Sequence, residues 1–175
     1  MPETCNFMLT EFFICAFIIL FAMFWPRLIG GAEWEPASMR VVRKMLSMAK
    51  TSKKDIVYDL GCGDGRFVVS AIKDFHAKKA IGIEIDPLRV LFSKLRTIGM
   101  KNAKIIFGSI TKKDFSDASV VTCFLRANTN SSIQDRLSKL KKGTRIVSYI
   151  WKFSSWKPVA VDEKEKISLY IIGKT

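Results

Sequence analysis

The sequence predicts an α/β fold: a mostly parallel central sheet with helices covering both faces. Three observations carry that expectation. From Asp55 onward, short apolar or β-branched runs alternate with stretches of helical period. A glycine-rich turn, Gly61-x-Gly63-x-Gly65, joins the first run to the first of these helices. The second run, Ala80 to Asp86, is apolar up to an acid, Glu84. Strands that alternate with helices pair in parallel and are buried on both sides. About 150 residues suffice for one domain with one core, and no internal repeat or low-complexity stretch interrupts them.

The N-terminus is of a different kind. Residues 1–26 hold no Lys or Arg, and their only charges are Glu3 and Glu11. Phe12 to Trp25 is an unbroken apolar run of 14 residues, or 19 when extended back to Phe7 across Thr10 and Glu11. A membrane span needs about 20 residues, whereas a core helix or a signal-peptide h-region needs only 10–14 or so. The start lacks the basic n-region of a secretory signal, and Trp25 and Arg27 stand where an interfacial anchor belongs. The expectation is a membrane anchor over residues 1–29, with one transmembrane helix at about 7–28, a linker at 30–37 and a catalytic domain at 38–175. An amphipathic or fully buried helix is the alternative.

Charge sets the expected orientation. The part from Arg27 on holds 29 basic and 14 acidic residues, a net of +15. Positive charge beside a membrane stays on the cytoplasmic side. A single-pass membrane protein is therefore expected, with its catalytic domain on the cytoplasmic or mitochondrial matrix side. The Arg-free start does not resemble a mitochondrial presequence, which makes a prokaryotic plasma membrane the preferred location.

The remaining elements follow in order. Ser38 suits an N-cap, and Val41, Val42, Met45, Leu46 and Ala49 then repeat at helical spacing. Arg40, Arg43, Lys44 and Lys50 face outward, toward anionic head groups or simply toward water. The glycine-rich turn leads into a helix carrying Phe67, Val68, Val69, Ala71 and Ile72. A helix from Pro87 to about Ile98 gathers Leu88, Leu91, Phe92 and Leu95 on one face. Ala103–Phe107 and Ser119–Leu125 read as the third and fourth strands. A helix with Ile133, Leu137 and Leu140 stops at Lys141-Lys142-Gly143. Thr144–Ile150 and Ile167–Ile172 complete the sheet.

Several chemistries are excluded. The four cysteines, Cys5, Cys15, Cys62 and Cys123, show no metal-ligand spacing, and a single histidine, His76, cannot help to build a zinc site. No metal is expected. His76 reads as a surface or helix-end residue, and neither a Ser-His-Asp set nor a carboxylate pair is present.

The glycine-rich turn is the informative motif. Glycines there admit positive φ and close approach of a ligand, and the next helix offers unpaired N–H groups. Taken alone, the turn is also compatible with a plain strand-to-helix connection or another nucleotide site. Glu84, 21 residues beyond Gly63, stands where a ribose is held by its hydroxyls. A dinucleotide site would need glycine at position 66, which is Arg66. A third glycine one residue early and an acid, Asp59, before the first glycine suit a ligand with a positive end. This pairing resembles motif I and the ribose acid of the class I S-adenosylmethionine-dependent methyltransferases, whose fold is Rossmann-like.

Three further stretches sharpen the resemblance: Trp34-Glu35-Pro36-Ala37-Ser38 with Val41–Leu46 behind it; Asp59–Arg66; and Gly143–Ser148 followed by Trp156-Lys157-Pro158. Together, over about residues 33–175, they resemble the small protein-lysine methyltransferases. That family includes a broad-specificity archaeal enzyme and mitochondrial enzymes acting on the ATP synthase c subunit and the adenine nucleotide translocase. The resemblance implies S-adenosyl-L-methionine as cofactor, with Asp59, Gly61, Cys62, Gly63 and Asp64 at its methionine end and Glu84 on its ribose. Ser109 and Ile110 would border the adenine, although an acid is the commoner superfamily choice there. Trp34, Phe124, Trp151, Phe153 and Trp156 are candidates for the acceptor channel, or else core aromatics.

The implied partner is a protein with an accessible lysine, membrane proteins included, reached by a monomeric enzyme held to the membrane by its N-terminal helix. Two other acceptors compete. A net charge of +13 attracts nucleic acid, but Leu125–Asn130 lacks the proline-rich turn of base-amino methyltransferases, so no nucleic acid is expected. A lipid amine such as phosphatidylethanolamine is the alternative acceptor that an anchor would bring close. A non-catalytic cofactor-binding adaptor is the remaining reading.

Overall fold

The computed structural model describes residues 9–18, 20–21 and 35–175. The chain divides into two compact units, Met1–Glu33 and Trp34–Thr175.

In the first unit, residues 9–18 and 20–21 are helical. Phe12, Phe13, Phe17 and Phe21 are exposed, and Phe17 and Phe21, one turn apart, stack with ring centroids 6.2 Å apart. This corrects the expected transmembrane helix at about 7–28. Among the described residues no helix is long and apolar enough to cross a membrane. At about 1.5 Å per residue the described run 9–18 reaches about 15 Å, against a hydrocarbon layer of about 30 Å. The single-pass placement and the orientation drawn from it fall with the span.

The second unit is built on a seven-stranded sheet of order β3-β2-β1-β4-β5-β7-β6. Its strands are β1 Ile56–Leu60, β2 Lys79–Glu84, β3 Ala103–Phe107, β4 Val120–Cys123, β5 Arg145–Tyr149, β6 Ala160–Asp162 and β7 Ile167–Ile171. The first five are parallel, whereas β7 runs antiparallel to β5, and β6 to β7. The helices are α1 Met39–Met48, α2 Arg66–Lys73, α3 Pro87–Arg96 and α4 Ala127–Ser138. This is the Rossmann-like architecture of class I methyltransferases, and its strand order reverses between β1 and β4.

Alternation along each strand sends residues to two cores. Val57, Val120 and Val147 join Val42, Met45 and Leu46 of α1 and Phe67, Val68 and Ala71 of α2 on one face. Tyr58, Leu60, Val121 and Ile146 join Ile133 and Leu137 of α4 on the other. Ser38 caps α1 by accepting the Val41 N–H at 3.3 Å. The outward bases of α1 are tied to protein acids: Arg40 to Glu165, Arg43 to Asp74, and Lys44 to Asp162.

Helix α3 differs from the simple amphipathic reading. Asp86 caps it, accepting from the Leu88 and Arg89 N–H groups, and Pro87 occupies its first turn. Leu88, Leu91, Phe92 and Leu95 do share a face, but that face is exposed, with Phe92 at 60% and Leu95 at 55%. The helix rests on the protein through Val90 and Ser93 instead. Ser93 lies so close to Gly65 that a Cβ there would stand 3.0 Å from its own. The small residue is what lets α3 approach the turn.

Candidate active site

The C-terminal ends of β1, β2 and β4 meet beside the strand-order reversal, where ligands bind in open α/β sheets. The turn after β1 is held by two N–H groups, Gly61 and Cys62, which both donate to the Ile83 C=O, at 2.9 and 3.0 Å. Gly61 has φ +78°, and a Cβ on it would stand 2.9 Å from Leu125 Cδ2. Leu125, just past β4, thus closes on the turn. Cys62 points inward against Gly82, where a Cβ would meet its Sγ at 2.6 Å. Burial pushes the Cys62 thiol well above its ordinary pKa, so its part in the turn is packing.

Three acids gather there in an otherwise basic protein. Asp59 is fully enclosed, and Thr122, its partner on β4, donates a hydrogen bond to Asp59 Oδ1 at 2.7 Å. Asp59 Oδ2 is buried without a partner. Burial, with lesser pushes from the Glu84 and Asp64 charges and against the Thr122 hydrogen bond, raises its pKa to about 7. Glu84 Oε2 accepts the Gly63 N–H at 2.8 Å, while Oε1 accepts the Ile85 and Asp86 N–H groups, both at 2.9 Å. The acid on the second strand is therefore bound to the glycine turn of the first.

Asp64 is engaged differently. Arg66 donates to both its oxygens, at 2.9 and 2.7 Å, and Arg96 pairs with Oδ2 at 2.9 Å. Burial alone would raise the Asp64 pKa, but these guanidiniums bring it below the ordinary value. Arg66 also donates to the Ala37 C=O, so the segment before α1 is tied to the turn.

The remaining expected residues fall in several places. Ser109 follows β3 and bonds its hydroxyl to Thr111 at 2.8 Å. The neighbouring Ile110 packs on the α4-side core and offers its C=O to Arg136 at 2.5 Å. Phe124 meets Tyr149 edge-on at 4.7 Å, past the end of β4 and at the end of β5. Trp151 is 44% exposed. Phe153 is buried and packs with Trp156 and Tyr170 in the opposite core, with centroids at 4.9 and 5.3 Å. The four described candidates thus do not form one group; Trp34 lies outside the described residues. His76 is exposed in the turn before β2, at the other end of the strands.

Sequence reasoning missed Thr122, Leu125 and Tyr149. Position 122 reads as an ordinary β-branched strand residue, and only the parallel register sets it beside Asp59.

An enclosed carboxylate oxygen without a partner, a second carboxylate facing a glycine turn, and a turn with no room for side chains fit a cationic, ribose-bearing cofactor. Residues 59–160 match the ANTKMT methyltransferase domain. A protein-lysine N-methyltransferase of Saccharolobus islandicus is 42% identical over 156 residues, covering 83% of this chain and 97% of that protein. The chain belongs to this family of protein-lysine methyltransferases. The adenine nucleotide translocase lysine N-methyltransferase of Mus musculus is 31% identical over 129 residues, 71% of this chain and 56% of that protein. The lysine N-methyltransferase of the ATP synthase C subunit, also from Mus musculus, is 28% identical over 127 residues, 70% of this chain and 50% of that one. The chain spans nearly all of the archaeal family member but only about half the length of the mouse ones. Among solved structures, an RNA methyltransferase from Salinibacter ruber in complex with S-adenosyl-L-homocysteine superposes with a TM-score of 0.77 at 31% identity, covering 81% of this chain and 95% of that chain. The protein is an S-adenosylmethionine-dependent methyltransferase.

Proposed function

We propose that this enzyme methylates lysine side chains of other proteins, binding its cofactor over the ends of β1 and β2 and its acceptor over the ends of β4 and β5. The observation that carries the cofactor half is the buried, unpartnered Asp59 Oδ2 beneath the glycine turn. In this reading Asp59 faces the ammonium of the methionine end. Gly61, Cys62 and Gly63 shape the turn around that end, and Glu84 takes the ribose hydroxyls with the lone pairs its backbone bonds leave. Asp64 orders the turn through Arg66 and Arg96. Ser109 and Ile110 border the base.

S-adenosylmethionine, when bound, supplies a methyl group already activated on a sulfonium, whose C–S bond breaks as the new N–C bond forms. The protein's task is to hold the amine in line with that methyl. A lysine must also arrive as a free amine with its lone pair exposed. An aromatic lining such as Phe124, Tyr149 and Trp151 favours loss of the proton by lowering the ammonium's pKa. The proton passes to solvent, and no histidine is needed.

The acceptor half rests on the family and on the 42% identical lysine methyltransferase. RNA is the second reading, favoured by the net charge of +13 and by the 31% identical Salinibacter enzyme. The test is to incubate the full chain with radiolabelled S-adenosylmethionine and a cell extract, then count protein, RNA and lipid fractions, with Glu84→Ala as control. Label in protein that is acid-stable, maps to lysine and vanishes in the variant supports the proposal. Label confined to RNA or lipid overturns it.

A further inference from the structure

Strand β5 ends in a strained turn close to the proposed acceptor region. Ile150 has φ +65°, a conformation that β-branched residues avoid. The Trp151 N–H donates to the Tyr149 C=O at 2.8 Å. This closes a three-residue γ-turn around Ile150, a rare kind when the central φ is positive. The Ile150 N–H still reaches the Lys166 C=O at 2.8 Å, so backbone bonding is unbroken up to the turn itself.

Two buried side chains converge on the peptide just beyond it. The Trp151 C=O accepts the Ser148 hydroxyl at 2.5 Å and the Asn130 carboxamide N–H at 2.9 Å. Asn130 and Ser148 are 0% and 1% exposed, although the residue they hold is 44% exposed. Asn130 belongs to α4, so the clamp ties the element after β4 to the loop after β5. Asn130 Oδ1 is buried without a partner. Leaving a polar atom unsatisfied is costly, and an apolar side chain would fill the same place without that cost. Packing alone does not call for an amide here.

We infer that Asn130 is a positioning residue for methyl transfer: with Ser148 it holds the Ile150 turn closed and so sets the place of Trp151 beside the acceptor. Backbone strain persists where the surroundings over-determine it, and such places cluster at functional sites. The inference rests on the reading that the acceptor amine enters over the ends of β4 and β5. Small errors of placement there are expensive, because the reaction needs the amine in line with the methyl.

The experiment uses the full chain and four substitutions at three positions. Asn130→Asp keeps the shape of the side chain and removes both N–H donors. Ser148→Ala removes the second donor, with Ser148→Thr as the variant that restores it. Ile150→Gly relieves the positive φ without touching the clamp. For each, kcat and KM are measured for lysine methylation of a bulk protein extract and of poly-L-lysine, alongside cofactor affinity and thermal midpoint. The expected result for Asn130→Asp is a fall in kcat of about 10- to 100-fold, with cofactor Kd changed by less than about twofold. Ser148→Thr recovers turnover lost in Ser148→Ala, and Ile150→Gly, which takes the closed turn without strain, keeps its midpoint. Unchanged kcat in Asn130→Asp, or cofactor affinity falling in step with kcat, overturns the inference. If that variant does not fold, the Ser148 pair decides the matter by the same criterion. A wild-type chain that binds cofactor but labels no lysine instead overturns the acceptor reading, and this inference with it.

Discussion

Thr122 donates its hydroxyl hydrogen to Asp59 Oδ1 at 2.7 Å across the β1–β4 pairing, leaving Asp59 Oδ2 enclosed and unpaired. One oxygen is thus fixed by the scaffold and the other kept for a donor the chain itself does not supply. A cation at the methionine end of the cofactor suits that division of roles.

The first prediction concerns pH. Asp59 has its pKa raised to about 7 in the fold, so it is protonated below that value and ionised above it. A cationic ligand favours the ionised form, so its binding releases a proton on the acid side. Cofactor affinity should therefore rise with pH up to about 7 and flatten beyond. Asp59→Asn should bind at least about tenfold more weakly at pH 8 and lose this dependence. Calorimetric titration of both forms from pH 5.5 to 8.5 checks it.

The same group predicts the stability of the ligand-free protein. Its folded pKa lies above the unfolded value, so its contribution is fully present below the unfolded pKa near 3.8 and is lost as pH rises through about 7. Asp59→Asn should gain stability relative to wild type over that window. Urea denaturation at pH 5 and pH 8 should show the gap widening toward the alkaline side; a constant gap counts against the buried charge.

Glu84 is a structural acid as well as the proposed ribose ligand. It accepts N–H groups from Gly63, Ile85 and Asp86. Glu84→Ala leaves these donors without their partner, and a loss of about 1–3 kcal/mol in stability is expected, together with loss of cofactor binding. Glu84→Gln keeps an acceptor and should recover part of the stability but little of the affinity. Thermal denaturation paired with cofactor titration separates the two effects.

Gly61 and Leu125 form a steric pair, because the Cβ of an alanine at 61 would stand 2.9 Å from Leu125 Cδ2 at φ +78°. Gly61→Ala should lower stability by about 1–3 kcal/mol and reduce cofactor affinity. In the double variant with Leu125→Ala the clash disappears while the φ penalty stays. A double-mutant cycle should therefore show positive coupling in stability.

Helix α3 offers a test of which face it buries. Phe92→Ser and Leu95→Ser, both on the exposed face, should change stability by less than about 0.5 kcal/mol. Val90→Ala, a smaller change at a buried position, should cost about 1 kcal/mol. The reverse order in chemical denaturation would show that the apolar stripe is covered.

Legibility followed the range of the interactions. The glycine turn, the helix start at Pro87, the Ser38 cap and the first five strands are written in local spacing, and they were readable. The three-residue β6 was not, because so short an edge strand leaves no periodic signal. The fourth and fifth strands read longer than they are, since Leu125 leaves the sheet to close on the turn, Phe124 packs on Tyr149 instead, and Ile150 turns at positive φ. The apolar stripe of α3 was legible as a stripe, but its direction depends on a contact between Ser93 and Gly65, distant in sequence. The N-terminal run read as a span from hydropathy and length, and the helix formed by its described residues is too short for one.

The sequence by itself determined the α/β class, the glycine-rich turn flanked by Asp59 and Glu84, and the family. These depend on residue type at fixed short spacing, which backbone geometry converts directly into structure. Only the tertiary structure decided that Thr122 steadies Asp59, that Arg66 and Arg96 both engage Asp64, and that Asn130 and Ser148 meet at the Trp151 carbonyl. It also set Phe124 on one face of the sheet and Phe153 with Trp156 on the other. Each of these depends on strand register and helix docking between residues far apart in the chain, where close packing and the need to satisfy buried polar groups select one arrangement that local sequence does not specify.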